Sequence, residues 1–357
     1  MSSPVDPQLA PPERIVVFRL GAIGDVVRTL PAVRLIRKTW PQAELAWAVE
    51  EPASSLLLSH PDLDRVLVLA RREIVRRGWT HPIASWSVLS DFVKRLRAVR
   101  ADLAIDFQGS LKSALLMRLS GAARRVGFDR ADTREQAHWF ANQRVRLPAS
   151  SRHRVERAVF LARAAGAADG PRVADLALSG AERAQAASRA LAIADNRPLI
   201  ALAPWSSRRQ SWKRYPTERW VEVARRLVAC GASIVVLSGP GEERQTEQFC
   251  REAGSGVVSS GPLPLRELAA LIGACRLYVG GDTGPMHLAW AAGVPVVAVY
   301  GPTDPALNAP YGPGHIVLAS DSCTARDAAD RFPGITPDRI VAAAQSRLSE
   351  LPLENRC

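Results

Sequence analysis

The sequence predicts an α/β protein made of two doubly wound domains that face a central cleft. Three observations carry that expectation. Short apolar runs alternate with helical patterns through both halves of the chain, the mark of βαβ units and parallel sheets. The 357 residues suffice for two domains of ordinary size. Most informative is the stretch from Gly280 to Pro305, GGDTGPMHLAWAAGVPVVAVYGPTDP. There two apolar strands, Leu277–Val279 and Val294–Tyr300, each end in a glycine-rich turn. The first turn opens directly into a helix, and in an open parallel sheet ligands bind at strand C-termini.

In the N-terminal half a strand over Ile15–Leu20 leads through Gly21-Ala22-Ile23-Gly24 into a helix from about Asp25 to Lys38. Strands follow at Leu45–Val49 and Val66–Leu69, then a basic, tryptophan-bearing stretch from Arg71 to Trp86 and a helix over Phe92–Arg100. A strand at Leu103–Phe107 passes through Gln108-Gly109 into a helix at Lys112–Leu119. The C-terminal half repeats the logic. Strand Leu199–Ala203 precedes the loop PWSSRRQSWKRYP and a helix at Glu218–Ala229. Strand Ile234–Leu237 ends in Ser-Gly-Pro-Gly before a helix at Glu242–Ala253, and another helix covers Leu265–Ala274. The last helix, Pro337–Glu350, is expected to pack back on one of the domains, the N-terminal one included. The alanine-rich region 161–195 is the natural boundary, giving a disordered, proline-rich tail at 1–13 and domains at 14–170 and 171–357.

Composition narrows the function classes. No apolar run approaches the roughly 20 residues of a membrane span, and the first residues lack the basic and apolar regions of a signal peptide. A cytoplasmic protein is expected. The five cysteines form no CxxC pair and no metal-ligand spacing, so neither zinc nor a disulfide framework is indicated. Charge is uneven: residues 1–170 hold 27 Lys+Arg against 17 Asp+Glu, whereas residues 171–357 hold 20 against 18. The N-terminal half therefore faces something anionic: nucleic acid, a membrane surface, or a phosphorylated or carboxylated substrate. Nucleic acid is the weakest of these, because no helix-turn-helix, zinc-finger or RNP pattern is present and the basic stretches lack interleaved aromatics.

Several residue groups suit chemistry at strand ends. Pro285 fits a first helical position, so the N–H groups of Asp282 to Met286 form an anion site at a helix N-terminus. His287 lies one turn in. Asp25 either caps its helix or accepts a proton from a hydroxyl nucleophile. The surrounding GxxGD is neither a dinucleotide fingerprint nor a P-loop. Ser206, Ser207 and Lys213 offer hydroxyls and a point charge to phosphate oxygens, against the alternative of a solvated basic loop. Glu242 or Glu243 suits ribose hydroxyls, or is an ordinary first-turn acid. Arg71, Arg72, Arg76, Arg77, Lys112 and Arg134 form a basic set matched to carboxylates and phosphates, or simply a solvated face. His60 and His153 have no partner pattern. No HExxH, GxSxG or DxD-type site is present, and metal dependence is not suggested.

The words RLGAIGDVVRTLPAV, DFQGSLKSALL, SWKRYPTERW and GGDTGPMHLAWAAGVPVVAVYGPTDP span nearly the whole chain. In them the sequence resembles the ADP-heptose:lipopolysaccharide heptosyltransferases, glycosyltransferase family 9. WAVEE, TREQ and HRVER are similar to the branch that adds the first heptose to Kdo of the inner core. The ending CTARDAADRFPGITPDRIVAA is closer to the second heptosyltransferase, which leaves the acceptor open between Kdo and a later heptose.

The resemblance implies a GT-B fold of two Rossmann-like domains and an inverting, metal-independent transfer from ADP-heptose without a cofactor. It implies Asp25 as general base, Lys213 as a catalytic and donor contact, and Glu242 as the ribose contact. Gly24, Ser206, Ser207, Asp282, Thr283, Gly284 and His287 complete the donor set. The basic set would hold a Kdo–lipid A acceptor, with the enzyme peripheral on the cytoplasmic face of the inner membrane. The rivals are a family member acting on another glycan, a catalytically silent nucleotide-sugar binding protein, and a two-domain epimerase.

Overall fold

The computed structural model describes residues 10–77, 82–320 and 331–351, with the side chains of residues 75–77, 82–85 and 208–209 outside that description. The expected tail thus lies largely outside the described residues. The chain divides into two units, Met1–Ala177 and Leu178–Cys357. The division falls later than the expected one at 170/171, for a physical reason. Asp175 binds back to the first unit, with Arg34 Nη1 donating to its carboxylate at 3.3 Å and His60 Nε2 at 2.9 Å from its carbonyl. Arg172 likewise donates to Glu156 at 3.1 Å.

The first unit begins with β1 (Arg14–Phe18), α1 (Ile23–Thr39), β2 (Glu44–Glu50), the short α2 (Glu51–Ser54) and β3 (Arg65–Leu69). It continues through α3 (Arg71–Arg77), α4 (Pro82–Ala98), β4 (Leu103–Asp106), α5 (Leu111–Leu119), β5 (Arg124–Phe128), β6 (Gln143–Val145) and α6 (Arg154–Ala164). Its six strands run in the order β3-β2-β1-β4-β5-β6, each pair parallel. Central strands such as IVVF of β1 are buried on both faces, which only an apolar run permits. Val16, Phe18, Phe92, Leu96, Ala104 and Met117 lie in one core on the helix-covered sheet. The helix expected at Phe92–Arg100 starts earlier, at Pro82, inside the stretch read as basic and tryptophan-bearing. Strands β5 and β6 escape a pattern reading: RRVGF opens with two arginines and QRV is three residues long.

The second unit repeats the plan with α7 (Gly180–Ala194), β7 (Leu199–Ala203), α8 (Thr217–Ala229), β8 (Ser233–Ser238), α9 (Glu243–Ala253), β9 (Val257–Pro262) and α10 (Leu265–Gly273). Then come β10 (Leu277–Gly281), α11 (Gly284–Ala291), β11 (Val296–Tyr300), α12 (Pro305–Asn308), β12 (Ile316–Ala319) and α13 (Pro337–Ser349). The order β12-β11-β10-β7-β8-β9 is the same topology, again all parallel. Of the two domains on which the last helix could pack, helix α13 packs on the second unit rather than the N-terminal one. Its Ile340, Val341 and Ala344 join the core of the second unit, against α8, β10 and β11.

Both sheets therefore reverse winding once, between β1 and β4 in the first unit and between β7 and β10 in the second. At such a switch point the loops after the two adjacent strands diverge to opposite faces and leave a crevice. The segments that follow those four strands carry Asp25, at the start of α1, and Gln108, Lys213 and Asp282.

Candidate functional site

At the first switch point the chain leaves β1 and turns into α1, whose third residue is Asp25. Asp25 Oδ2 accepts the Ala22 N–H at 3.3 Å, a local cap of the helix start. Its other oxygen has a different environment. Arg19 Nη2 at 2.8 Å, Arg154 Nη1 at 3.1 Å and Arg28 Nη2 all converge on Oδ1. Burial alone would raise the Asp25 pKa, but the guanidinium groups of Arg19, Arg28 and Arg154 outweigh it and hold the carboxyl far below the usual carboxylate range. The group is ionised at every physiological pH. With Oδ1 saturated by cations, Oδ2 keeps lone-pair capacity beyond its single backbone bond.

Across the crevice, β4 ends in Asp106. It accepts hydrogen bonds from Gln108 N at 2.9 Å, Gly109 N at 3.3 Å and Ser113 Oγ at 2.9 Å. Burial pushes this carboxyl up to about 6, against those hydrogen bonds. Gln108 Oε1 accepts the Leu20 N–H at 2.9 Å, and Arg19 Nη1 donates to the Phe107 carbonyl at 2.5 Å, so the two loops are tied together.

The basic set is partly assembled. Glu50, buried at the end of β2, pairs with Lys112 and accepts from Arg71 Nη1 at 3.2 Å. Glu51 accepts the Arg72 N–H at 3.0 Å. The pair of glutamates in WAVEE therefore fixes where the arginine-rich helix α3 begins. Arg134 is exposed, with its N–H donated to the Gly109 carbonyl at 2.9 Å. The side chains of Arg76 and Arg77 lie outside the described residues. Gly24 is buried in the first turn of α1, beside Asp25.

At the second switch point, Lys213 Nζ donates to Asp282 Oδ2 at 2.9 Å. The pair brings the ends of β7 and β10 together. His287, buried on α11, places Nε2 3.9 Å from Asp282 Oδ1. Thr283 is the residue before α11, and its Oγ1 donates to the Gly281 carbonyl at 3.4 Å. Gly284 and Pro285 open the helix, as the sequence predicts. Gly280 has to be glycine: a Cβ there would lie 2.7 Å from the Tyr278 hydroxyl and 2.9 Å from the Ala203 carbonyl.

Ser206 and Ser207 part company. Ser206 is buried and its Oγ donates to the Gln210 carbonyl at 2.9 Å, so this hydroxyl shapes the loop. Ser207 is exposed at the start of the 3-10 turn Arg208–Lys213. Glu242 Oε2 accepts the Gly239 N–H at 2.8 Å, whereas Glu243 Oε1 accepts from Gly241 at 3.1 Å. A Cβ at Gly239 would stand 2.9 Å from Glu242 Oε2, so this glycine makes room for that carboxylate. Among the described residues no cluster of three or more His, Cys, Asp and Glu side chains is placed to hold a metal ion.

Three residues of the first site lie inside the words that carry the family resemblance but were not singled out there: Arg19, Arg28 and Arg154. Arg154 joins Asp25 from 129 positions away, and no spacing rule reaches that far. Arg19 and Arg28 flank Asp25 closely, and the surplus of arginine hid them.

A helix N-terminus backed by a fixed lysine, with a carboxylate on a neighbouring loop, is an arrangement able to meet an anionic ligand such as a nucleotide. Comparison with known proteins narrows this. The chain belongs to glycosyltransferase family 9 (heptosyltransferase), whose model matches residues 89–331. It is 32% identical over 315 residues to lipopolysaccharide heptosyltransferase 1 of Pseudomonas aeruginosa, covering 86% of this chain and 84% of that one. It is 28% identical over 310 residues to lipopolysaccharide heptosyltransferase 1 of Escherichia coli K12, covering 85% and 92%. The structure is similar to that of E. coli heptosyltransferase WaaC with ADP, with a TM-score of 0.77 and 26% identity over 94% of this chain and 99% of the other.

Proposed function

We propose that the protein transfers L-glycero-D-manno-heptose from ADP-heptose to Kdo of the lipopolysaccharide inner core, with inversion and with no cofactor. The observation that carries this reading is the division of labour between the two switch points. One holds an ionised carboxylate beside a cationic ridge. The other holds a lysine and a helix N-terminus.

In the reaction an acceptor hydroxyl oxygen forms a bond to the anomeric carbon of heptose, and the bond from that carbon to the diphosphate oxygen breaks. Asp25 Oδ2 takes the hydroxyl proton. A carboxylate this weakly basic takes it only as bonding to carbon makes the hydroxyl acidic. The leaving diphosphate gains charge, and Lys213 with the first N–H groups of α11 stabilises it. Lys213 gives one of its three N–H bonds to Asp282, which leaves two for phosphate oxygens. Glu242 meets the ribose hydroxyls, while Ser207, Asp282, Thr283, Gly284 and His287 shape the donor pocket. Asp282 and His287 act there by fixing Lys213 and the start of α11. Gly24 serves this reading by bringing the backbone beside Asp25 close to the sugar.

Arg71, Arg72, Arg76, Arg77, Lys112 and Arg134 receive the acceptor's carboxylates and phosphates, with Glu50 and Glu51 setting the position of the first two and of Lys112. That reading agrees with the cationic surplus of residues 1–170. It places the enzyme in the cytoplasm, peripheral on the inner membrane where a lipid-linked acceptor is exposed. Among the described residues no helix is long and apolar enough to cross a membrane.

The test is purified protein with ADP-heptose and Kdo–lipid A in the presence of a chelator, scored for ADP release and a heptose-sized mass gain. Product on Kdo is the expected outcome. Product only on an already heptosylated acceptor would move the assignment to a later heptose. ADP-heptose binding with no product on either acceptor would overturn the acceptor assignment.

A further inference from the structure

The exposed face of α5 carries Lys112 of the acceptor set, but its apolar residues have no role in the chemistry above. Leu111 and Leu115, one turn apart, are 42% and 44% exposed. Lys112 and Arg118 are exposed on the same short helix, while Ser113, Ala114, Leu116 and Met117 turn inward. The 3-10 turn Ala137–Phe140 packs against α5 and presents Trp139, 65% exposed. Two contacts tie this second segment to the start of the helix: Arg134 N–H to the Gly109 carbonyl at 2.9 Å, and Leu111 N–H to Glu135 Oε2 at 3.3 Å. Exposed leucines and a tryptophan on adjoining elements, rimmed by Lys112, Arg118 and Arg134, make an apolar patch with a cationic border. Single exposed apolar residues need no explanation, but a contiguous group does.

We infer that this face, Leu111, Leu115 and Trp139 with Lys112, Arg118 and Arg134, seats the first unit on an anionic lipid bilayer. The inference rests on the proposed reading of a lipid-linked acceptor and gives it a surface. Tryptophan and leucine side chains enter the boundary between headgroups and acyl chains, while flanking lysine and arginine meet lipid phosphates. Charge argues for a membrane over a protein partner. The unit carries the cationic surplus of the chain, and basic residues near an anionic leaflet are each attracted within about a Debye length. The acidic groups facing the patch are Glu135, which accepts the Leu111 N–H, and buried Glu50, which pairs with Lys112. The patch is also continuous with the acceptor ridge: Lys112 reaches from α5 to Glu50, which holds Arg71. A sugar presented at the headgroup level would thus meet the ridge that the docked face supports.

Co-sedimentation with vesicles tests this. The full-length protein is mixed with vesicles of phosphatidylglycerol and phosphatidylethanolamine, and separately with vesicles of phosphatidylcholine alone. Binding to the first, weakened by 0.5 M salt, and little binding to the second are expected. The double variant Leu115→Gln/Trp139→Gln should lower partitioning by about ten-fold or more, since it removes the two apolar contacts without changing charge. Leu191→Gln, an exposed leucine of the second unit, should bind like the parent. The double variant should also keep its rate on a deacylated, water-soluble acceptor and lose rate on the vesicle-embedded one. Failure of the parent to bind anionic vesicles, or unchanged partitioning of the double variant, would overturn the inference. Vesicle binding is scored without turnover, so a wrong acceptor assignment and a wrong docking face give different results.

Discussion

Replacing Asp25 by alanine removes more than a proton acceptor. Three guanidinium groups meet one of its oxygens, and two of them, on Arg19 and Arg28, have little contact with water. Deleting one member of a buried charge cluster leaves the others uncompensated, at about 3–5 kcal/mol. Arg154, 36% exposed at its side chain, regains solvent and adds little. The expected cost at neutral pH is therefore about 3 kcal/mol, borne by the first unit. The sign with pH follows from the depressed pKa. The Asp25 contribution is complete above its unfolded value of 3.8 and is lost as pH falls below it, so the deficit of the variant narrows only in acid. Hydrogen exchange read peptide by peptide separates the units. In Asp25→Ala, exchange in β1 and β4 through unit-wide opening should accelerate on the order of 100-fold, while β7 and β10 stay as in the parent. Asp25→Asn, which keeps an oxygen for the guanidiniums, should lose less. Unchanged exchange in β1 and β4 of Asp25→Ala would refute the arginine cluster as a stabilising feature. Asp25→Ala should also abolish turnover while leaving ADP-sugar binding largely intact, and that loss has to be read beside the lost packing, since on the proposed reading catalysis and packing share one carboxylate.

Three further outcomes are expected. Asp106 has the opposite dependence: its pKa is raised from 3.8 to about 6, so its contribution to stability is full below pH 4 and is lost as pH rises to 6. Urea titration of Asp106→Asn should show that slope abolished, with a gain of about 2–3 kcal/mol at pH 7 provided Ser113 reorients its hydroxyl. Lys213→Ala should weaken ADP binding at least ten-fold by calorimetry, as charge-assisted bonds of about 1.5–3 kcal/mol are lost, and an unchanged affinity would remove Lys213 from the donor site. Gly280→Ala forces a methyl against the Tyr278 hydroxyl and the Ala203 carbonyl. Overpacking of this kind costs about 1–3 kcal/mol, and the lower thermal midpoint should be confined to the second unit.

How much of this was legible before folding depends on distance along the chain. The glycine-rich turns at Gly21–Gly24 and Gly280–Gly284 announce strand ends because they must turn tightly within a few residues. Asp25 and Asp282 sit beside such turns and were found with them, whereas Lys213 stands out as the point charge of the loop after β7. Position alone does not separate Glu242 from Glu243, and the family resemblance favours Glu242; in the structure they differ at Gly239, whose missing Cβ leaves space for the first carboxylate. Helix α7, GAERAQAASRALAIA, buries only alanines and so carries no period that a pattern reading detects. The basic set was legible as charge but not as structure, because its organiser is Glu50, an acidic residue at the end of a buried strand. Arg154 lies in the quoted word HRVER, but nothing in its spacing ties it to Asp25.

The two carboxylates at the first switch point decide which group does the chemistry. Both stand where adjacent strands end, and both are acids beside Arg19. Asp106 is buried, its acceptor sites are filled by Gln108, Gly109 and Ser113, and burial favours its protonated form. It shapes the β4 loop and has no room to meet a substrate. Asp25 is 19% exposed at its side chain, is ionised throughout, and concentrates its cationic partners on one oxygen. Environments that drive two neighbouring acids in opposite directions mark their separate roles. The arginines make Asp25 a poor base in isolation, but they also fix the carboxylate with Oδ2 as the atom left to take a proton. On the mechanism proposed above, nucleophile activation would be a matter of position more than of proton affinity. A glutamate at position 25 tests that: it keeps the charge and the arginine pairing while moving the carboxylate by a methylene. If position governs, Asp25→Glu should lose on the order of 100-fold in kcat with little change in donor KM, and a rate near that of the parent would show that charge alone suffices.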